Sequence, residues 1–385
     1  MTQMVSSIKM INRTKCVVCE SDCLKNYRDL VKFPIYMGVT VLPMTSDIFM
    51  DQEWAVCENC FCIQLVSLVP LEILYSINHS VEAVGRVWQT HHEEFAKTII
   101  RELPTSICEI GGSHGHLAKI IISSLPNIRY LMIEPSPTFE SSRIEIVKGF
   151  FEHNTAKISG FDSIVHSHVL EHLYDPVNFM HELNENVNYS TNIHMSIPNI
   201  NELLLKFGSN ALNFEHTYFL TLENLEFMAR KTGFEIINIE NYIDHSFFVT
   251  MKKTKKHQID LEGVKKTSKI YAKNFDLLWD GLDLFVEETK LIINKKSEIP
   301  TFIFGAHIFT QSLYQLGLSK CKIEGVLDNA IMKIGKRLYG TPYRVFHPET
   351  IKDMKDVRVI LKVASYQAEI KKQLVGLNPN VEIIE

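Results

Sequence analysis

The sequence predicts an α/β protein in three parts, in which a central parallel sheet is covered by helices on both faces. Between about residues 71 and 252, apolar strand-like runs alternate with helix-length segments, and a glycine-rich loop follows the first of those runs. The 385 residues are also too many for one ordinary hydrophobic core. We therefore predict a cysteine-rich module at 1–70, the alternating unit at 71–252, and a second, smaller α/β unit at 253–385.

The first part contains two C-x-x-C pairs, formed by Cys16, Cys19, Cys57 and Cys60. Each pair can direct two thiolates at a single ion, and two pairs complete the four-sulfur shell of structural zinc. Cys23 and Cys62 lie close enough in the sequence to be substitute ligands, and buried thiols or disulfides are the alternative to a metal. No continuous apolar core of a signal peptide precedes Cys16, so we expect a cytoplasmic protein, in which a metal is favoured over disulfides.

Strands of the middle part are predicted from its apolar runs, which are Ser106–Ile110, Tyr130–Glu134, Ser163–His166, Asn192–Ser196 and Glu235–Ile239. Helix-length stretches separate most of these runs, as is typical of parallel strands joined by crossover helices. A further run, Ser246–Met251, follows the last strand closely and predicts an edge hairpin.

The loop Gly111-Gly112-Ser113-His114-Gly115 joins the first of these strands to a helix that begins near His116. Such a loop places backbone N–H groups and a helix N-terminus beside a ligand. Glu109 precedes the loop, and Glu134 ends the next strand, where its carboxylate can accept both hydroxyl hydrogens of a ribose. An acid at that position fits NAD as well, but the G-x-G-x-x-G spacing for a pyrophosphate is missing. S-adenosylmethionine, which has a ribose and no phosphate, is therefore our leading candidate.

The run from Phe161 to Pro176 reads FDSIVHSHVLEHLYDP. An acid opens a strand, small polar residues end it, and His168 and His172 are spaced to face one cleft. Combined with the acids and the loop described above, this run resembles the fourth-strand motif of class I S-adenosylmethionine-dependent methyltransferases. The cofactor-binding residues that we expect are Glu109, Gly111, Gly112, Ser113, Gly115, Glu134 and His168.

The three-part plan is similar to that of the nucleotide-sugar C-methyltransferases of deoxysugar pathways, and this resemblance extends over essentially the full chain. That family combines a four-cysteine zinc module, a central class I methyltransferase domain and a C-terminal Rossmann-like domain. Its Tyr-Asp-Glu-His run corresponds here to Asn213-Phe214-Glu215-His216, and His172 matches another active-site histidine. Two departures concern the substrate: Asn213 stands in place of the family tyrosine, and the family's His-Gly-Gly segment appears without glycines at Asp244–Phe247.

Carbon methylation beside a keto group requires a base, and a histidine that titrates near neutral pH is suited to that task. We assign this role to His216, with Glu215 orienting its imidazole and His172 donating to the developing enolate oxygen. Three alternatives stay open. The protein can be an O- or N-methyltransferase of another small metabolite, to which Asn213 points, or a zinc-containing scaffold without turnover; Glu215 and His216 can also be a structural pair.

The third part is predicted to open with a long helix at Leu261–Asn294, followed by three strands and two helices. Those strands are Thr301–Phe304, Ile323–Leu327 and Val357–Leu361, with the helices near 308–316 and 367–374. The turn at Phe304–Phe309 contains one glycine, which argues against a working dinucleotide site.

Composition excludes other classes of partner. A net charge of −5 and a pI near 6.4 give no electrostatic footprint for nucleic acid, and no apolar run approaches the roughly 20 residues that span a bilayer. The expected partner is a nucleotide-sugar or a related small molecule. We expect His79, His91 and His92 at the surface or at a domain interface rather than as metal ligands. The resemblance implies that the segment from Tyr75 to Trp88 closes over the cofactor, and the alternative is that Tyr75, Ser80 and Trp88 are ordinary packing residues.

Overall fold

The structure is a computed structural model of the chain. It describes residues 8–75, 86–206, 208–255, 261–363 and 366–385. His79 and most of the segment between Tyr75 and Trp88 therefore lie outside the described residues.

The N-terminal part is built from two long and four short strands. They are β1 (Ile11–Asn12), β2 (Leu24–Pro34), β3 (Val39–Thr40), β4 (Phe49–Cys57), β5 (Ile63–Leu65) and β6 (Ser67–Leu68). The strands β2, β4 and β5 form an antiparallel sheet in that order, and β1 pairs with β6. Both C-x-x-C pairs lie at turns of this part, the second directly after β4.

The middle part alternates helices and strands as its sequence predicts. Its elements are α1 (Leu71–Leu74), α2 (Arg86–Ile100), β7 (Ser106–Ile110), α3 (His116–Ser124), β8 (Arg129–Glu134), β9 (Glu145–Lys148), β10 (Ser163–Ser167), α4 (Pro176–Asn186), β11 (Asn192–Pro198), α5 (Ile200–Leu205), α6 (Leu222–Thr232), β12 (Phe234–Tyr242) and β13 (Ser246–Lys253).

These seven strands form one sheet in the order β9-β8-β7-β10-β11-β13-β12. The first five are parallel, and β13 is antiparallel to both of its neighbours, which gives the predicted hairpin at the edge. Every residue of β7 is buried, as expected for a strand covered on both faces. Since the chain order reverses between β7 and β10, their carboxyl ends frame the crevice in which sheets of this kind bind ligands.

The C-terminal part contains a long helix and a second parallel sheet. Its elements are α7 (Leu261–Lys295), β14 (Thr301–Phe304), α8 (Ile308–Leu316), β15 (Gly325–Leu327), β16 (Arg337–Leu338), β17 (Val345–Phe346), β18 (Val357–Ile360), α9 (Gln367–Leu377) and β19 (Val381–Ile384). The sheet has the order β17-β15-β14-β18-β19 with all pairs parallel, so the predicted Rossmann-like unit is present. Across the described ranges, no helix combines the length and apolarity needed to span a bilayer.

Packing joins the three parts. Trp54 of β4 contacts Phe275 of α7, with ring centroids 5.9 Å apart, and both pack against Phe219 of the middle part. Strand β3 pairs with β16, and the guanidinium of Arg337 donates to both carboxylate oxygens of the buried Asp47 at 2.6 and 2.7 Å. The N-terminal part therefore contacts both α/β units.

Candidate active site

The glycine loop after β7 has left-handed backbone at Gly111, Ser113 and Gly115, with φ of 76°, 45° and 67°. A Cβ added at Gly111 would lie 2.5 Å from the side chain of Val169, and one at Gly115 would lie 2.3 Å from the ring of Phe139. Glycine at these positions therefore lets the loop lie against the segments that follow β10 and β8.

Two acids lie at this loop. Glu134, at the end of β8, accepts the N–H of Ser113 on one carboxylate oxygen and the N–H of Ser136 on the other, both at 2.9 Å. Each oxygen keeps a second lone pair for a ligand hydroxyl. Glu109 is buried and accepts the hydroxyl hydrogen of Tyr130 at 2.9 Å. Burial raises the pKa of Glu109 to about 7, although the bond from Tyr130 acts in the opposite direction.

The predicted catalytic residues meet beyond the carboxyl end of β10, where two further residues join them. We call this group the candidate catalytic cluster: Tyr75, Glu171, His172, Glu215 and His216. Side-chain ligand atoms of Glu171, His172 and His216 lie within 4.8 Å of one another. Nδ1 of His172 is 3.4 Å from the Tyr75 hydroxyl and 3.9 Å from a carboxylate oxygen of Glu215. Neither Glu171 nor Tyr75 was assigned a catalytic role from the sequence.

The loop that carries Glu215 and His216 is shaped by Asn213. The buried Oδ1 of Asn213 accepts the backbone N–H groups of both Glu215 and His216 at 2.8 Å, and Nδ2 donates to the carbonyl of Asn210 at 2.8 Å. Asn213 thus acts as a turn residue. The interpretation that its amide points to a different substrate is not supported, because the amide is used within the loop.

Burial and neighbouring charges set the protonation of the cluster. Burial would raise the pKa of Glu171, but the charge and hydrogen bond of His168, with the charges of His172 and His216, lower it to about 2. Burial, with the charge of His172, lowers the pKa of His216 to about 3, whereas burial raises the pKa of Glu215. His216 is therefore neutral at pH 7 and able to accept a proton. It is a weaker base than the near-neutral histidine expected from the sequence, because it is desolvated.

Three histidines from distant parts of the chain form a second group, which we call the three-histidine cluster. His91 lies in α2, His168 directly follows β10, and His245 lies in the turn between β12 and β13. Their ring nitrogens lie within 4.8 Å of one another. The expectation for His91 is wrong: it is fully buried, because α2 packs on the sheet and brings its Nε2 to 2.8 Å from the hydroxyl of Ser196.

Glu171 connects this cluster to the catalytic one. Nδ1 of His168 is 2.9 Å from a carboxylate oxygen of Glu171, and Nε2 of His168 is 3.0 Å from the hydroxyl of Ser246. The backbone of His168 is left-handed, with φ of 53°. This turn at the end of β10 lets Val169 face the glycine loop while the imidazole of His168 faces the hairpin.

The four predicted cysteines converge in the N-terminal part, with their sulfurs within 4.8 Å of one another. The Sγ atoms of Cys16 and Cys60 are 3.4 Å apart, and those of Cys19 and Cys57 are 3.6 Å apart. Around a tetrahedral zinc with bonds of about 2.3 Å, sulfurs lie about 3.8 Å from one another, so the arrangement fits this ion. Of the two substitutes considered above, Cys23 is exposed and Cys62 contacts the carbonyl of Ile63.

Arg13 links the cysteine-rich part to the loop that carries Glu215 and His216. Its guanidinium donates to the carbonyls of Leu65 and Thr217 at 2.9 Å and to that of Tyr174 at 3.0 Å. Thr217 directly follows His216, and its N–H donates to the carbonyl of Glu171 at 3.1 Å. The N-terminal part therefore helps to hold the backbone on both sides of the candidate catalytic cluster.

Comparison with known protein families shows which family the middle part resembles. Residues 80–239 match the family model described as a methyltransferase domain. With the seven-stranded order and the glycine loop at its switch point, this match identifies an S-adenosylmethionine-dependent methyltransferase domain of class I at the centre of the chain. The match covers neither the cysteine cluster nor the C-terminal sheet.

Solved structures that resemble the chain include three methyltransferases. They are mitomycin 7-O-methyltransferase (16% identity, TM-score 0.38, 45% of this chain and 56% of that chain), N,N-8-amino-8-demethyl-D-riboflavin dimethyltransferase from Streptomyces davawensis (17%, 0.36, 43% and 55%), and human N-acetylserotonin methyltransferase in complex with S-adenosylmethionine (15%, 0.38, 44% and 53%). The chain thus spans little more than half the length of each. No curated protein sequence matches it significantly. The assignment of the domain rests on the family match and the strand order.

Proposed function

We propose that the protein methylates a carbon beside the keto group of a nucleotide-linked deoxysugar or ketosugar, with S-adenosylmethionine as the methyl donor. The observation that carries this proposal is the candidate catalytic cluster, in which a neutral imidazole lies among hydrogen-bond donors next to the glycine loop. Enolisation needs a base and an oxygen-binding donor in one place. The similarity of the three-part plan to nucleotide-sugar C-methyltransferases supports the choice of acceptor.

The residues at the carboxyl ends of β7 and β8 fit the cofactor. The free lone pairs of Glu134 would accept the ribose hydroxyl hydrogens. The loop from Gly111 to Gly115 would lie against the nucleoside, and Glu109 would pack beneath Gly112 of this loop. His168 would line the cleft through its backbone at the end of β10. When bound, S-adenosylmethionine supplies an electrophilic methyl group on a positively charged sulfur.

The chain's own residues would move the proton. His216 takes the proton from the carbon beside the ketone, and the electron pair of the C–H bond shifts onto the carbonyl oxygen. His172 or the hydroxyl of Tyr75 donates a hydrogen bond to that oxygen, and the enolate carbon is then the nucleophile for the methyl group. The ionised Glu171 stabilises the imidazolium that forms. Glu215, whose carboxylate lies 3.9 Å from Nδ1 of His172, would position His172 and not His216 as first assigned.

One observation favours a second candidate function. A histidine whose pKa is lowered to about 3 is a weak base for a carbon acid. An acceptor hydroxyl or amine needs less help from a base, so an O- or N-methyltransferase acting on a small metabolite is the alternative. In that reaction His216 would remove the proton from the heteroatom during transfer.

Exchange of substrate protons with solvent deuterium distinguishes carbon methylation from O- or N-methylation. With S-adenosylhomocysteine bound, so that no methyl can be transferred, a nucleoside-diphosphate ketosugar acceptor should exchange its α-proton for deuterium. His216→Ala should lower both exchange and methyl transfer by about 10²- to 10⁴-fold, whereas the exposed His153→Ala should leave both unchanged. Methyl transfer by the wild type without any exchange would reject carbon methylation in favour of the alternative. Absence of transfer to any acceptor despite cofactor binding would support a scaffold without turnover.

We further propose that Cys16, Cys19, Cys57 and Cys60 hold one structural zinc ion. In the cytoplasm, where we expect the protein, thiolates stay reduced and available to a metal. Purified protein should contain about one zinc per chain on sulfur ligands. Cys57→Ser should lower the thermal midpoint and loosen the loop that Arg13 holds, whereas Cys23→Ser, at an exposed thiol, should change neither. Fully folded protein with four reduced thiols and no metal on them would contradict this proposal.

A further inference from the structure

We infer that His91, His168 and His245 form a second metal site, for a divalent first-row transition ion such as zinc. Imidazole nitrogen is a preferred ligand of such ions, and three imidazoles from three separate elements meet here within 4.8 Å. The inference goes beyond the proposed methyl transfer and does not depend on which atom is methylated.

The spacing of the rings suits a small ion. The ring centroids of His91, His168 and His245 are 5.3 Å, 5.5 Å and 5.7 Å apart in pairs. A tetrahedral zinc with bonds of about 2.0 Å holds its nitrogens about 3.4 Å apart. Since the nitrogens lie within 4.8 Å of one another, an ion would draw them closer by at most about 1.4 Å. The partly buried His168 and His245 can accommodate this by small side-chain rotations.

The surrounding hydrogen bonds resemble the outer shell of a metal site. Metal-binding histidines commonly donate their other ring N–H to a carboxylate or another oxygen, which orients the ring. Nδ1 of His168 lies 2.9 Å from Glu171, so Nε2 is the nitrogen directed at the cluster. Nε2 of His91 is 2.8 Å from Ser196, and its buried Nδ1 has no hydrogen-bond partner among the described residues. A buried polar atom without a partner is costly unless a ligand satisfies it.

The hydroxyl of Ser246 lies between the other two imidazoles, 3.0 Å from Nε2 of His168 and 2.6 Å from Nδ1 of His245. An ion bound at this position can take the Ser246 oxygen as an additional ligand or displace it. The indole of Trp88 packs against all three histidines at centroid distances of 4.7 to 5.1 Å. An apolar wall of this kind limits water access and strengthens metal binding.

The site differs in kind from the four-cysteine cluster. Four thiolates close the shell of an ion, whereas three imidazoles leave a coordination position for an exogenous oxygen. Because Glu171 contacts His168 and also belongs to the candidate catalytic cluster, the imidazole of His168 connects the two groups. The ligand that we assign to the open coordination position is an oxygen atom of a small molecule or of water.

Metal binding to the full chain tests the inference. Protein that retains its cysteine-bound ion is dialysed against a weak chelator and titrated with zinc or cobalt(II) in a calorimeter. We expect one further equivalent, with an X-ray absorption spectrum that shows nitrogen and oxygen but no sulfur around it. His91→Gln and His245→Gln should each weaken this binding by at least about 10²-fold, because loss of an outer-shell partner alone costs 10- to 100-fold. His153→Gln, at an exposed histidine outside the cluster, is the control and should leave it unchanged.

The readout does not require methyl transfer, so it stands apart from the test of the proposed function. His245→Gln lies in a turn and keeps the inference testable if the buried His91→Gln does not fold. Absence of a second equivalent in folded wild-type protein would overturn the inference. So would a second equivalent that survives both substitutions but is lost in His172→Gln, since the ion would then bind the candidate catalytic cluster.

Discussion

The loop after β7 and the turn after β14 are built alike, although they belong to different sheets. In each, a glycine with positive φ directly follows the strand, Gly111 at 76° and Gly305 at 101°. In each, an acid at or just beyond the end of the next strand accepts a backbone N–H of the turn. The distance from Ser113 N to Glu134 is 2.9 Å, and that from Ala306 N to Asp328 is 2.8 Å.

The two acids differ in what else they contact. Asp328 accepts a hydrogen bond from the ammonium of Lys333 at 2.9 Å and another from the N–H of Ala330 at 2.8 Å. Glu134 forms no ion pair with any residue that the structure describes. Under our proposal, therefore, a strand, a turn and an acid do not by themselves make a nucleoside site. The acid must also keep its charge and lone pairs for the ligand.

The largest expected difference concerns cofactor affinity. If Glu134 holds the ribose as we propose, Glu134→Ala removes two charge-assisted hydrogen bonds, about 1.5 to 3 kcal/mol each, and should raise the Kd for S-adenosylmethionine at least about 10²-fold. Asp328→Asn should leave that Kd unchanged. Because Glu134 also holds two loop amides, Glu134→Gln is a useful second variant, since it keeps one acceptor oxygen. Calorimetric titration measures all three, and equal losses at Glu134 and Asp328 would refute the contrast.

The next prediction concerns the ion pair that occupies Asp328. Lys333→Met should destabilise the C-terminal sheet by about 1 to 3 kcal/mol, because it leaves a largely buried carboxylate without its cation. Lys336→Met, a nearby change at a lysine outside this pair, is the control. Urea unfolding gives the difference. An unchanged urea midpoint would mean that Lys333 does not stabilise Asp328, and that the two acids do not differ in this respect.

A smaller effect is expected from Asn213, which shapes the loop that carries Glu215 and His216. Asn213→Ala removes the acceptor of two backbone N–H groups and should lower kcat about tenfold by displacing His216. Asn213→Asp retains an acceptor oxygen and should lose much less. A loss confined to KM, with kcat unchanged, would instead show that the amide binds substrate.

The smallest expected effect concerns the loss of protein stability at acidic pH. The first sheet carries buried histidines on its strands, including His194 on β11, whereas the strands of the second sheet carry none. Burial, with the charges of Arg101 and Lys252, lowers the pKa of His194 to about 4. The stability that His194 contributes is complete above its unfolded pKa of about 6.5 and is lost as the pH falls toward 4, by about 1.4 kcal/mol at pH 5.5.

His194→Gln should therefore reduce the loss of unfolding free energy between pH 7 and 5.5, measured by urea denaturation, by about 1.2 kcal/mol. The exposed His153→Gln serves as its control and should reproduce the wild-type slope. If His194→Gln leaves the slope intact as well, the imidazole of His194 is not held neutral in the folded protein.

The α/β class and the central elements of both sheets could be predicted from the amino-acid sequence. The strands Ser106–Ile110 and Thr301–Phe304 and the helix Ile308–Leu316 lie where the apolar patterns predict them. These elements are covered by neighbouring layers, so their hydrophobic runs are long enough to recognise. The strands Glu145–Lys148, Val345–Phe346 and Val381–Ile384 were not predicted. They are short strands at or near sheet edges, and pairing rather than side-chain pattern defines them.

For the site, the sequence determined the groups whose members are close in the chain, namely the glycine loop, the two C-x-x-C pairs and the Glu215-His216 run. The residues that contact these groups from distant parts of the chain could be identified only in the folded structure. His91 and His245 are 154 residues apart and meet because α2 lies over the hairpin at the edge of the sheet. The low pKa of His216 likewise arises from burial in the folded protein. Local spacing carries no information about desolvation or about partners from distant strands, because both arise only when the layers pack.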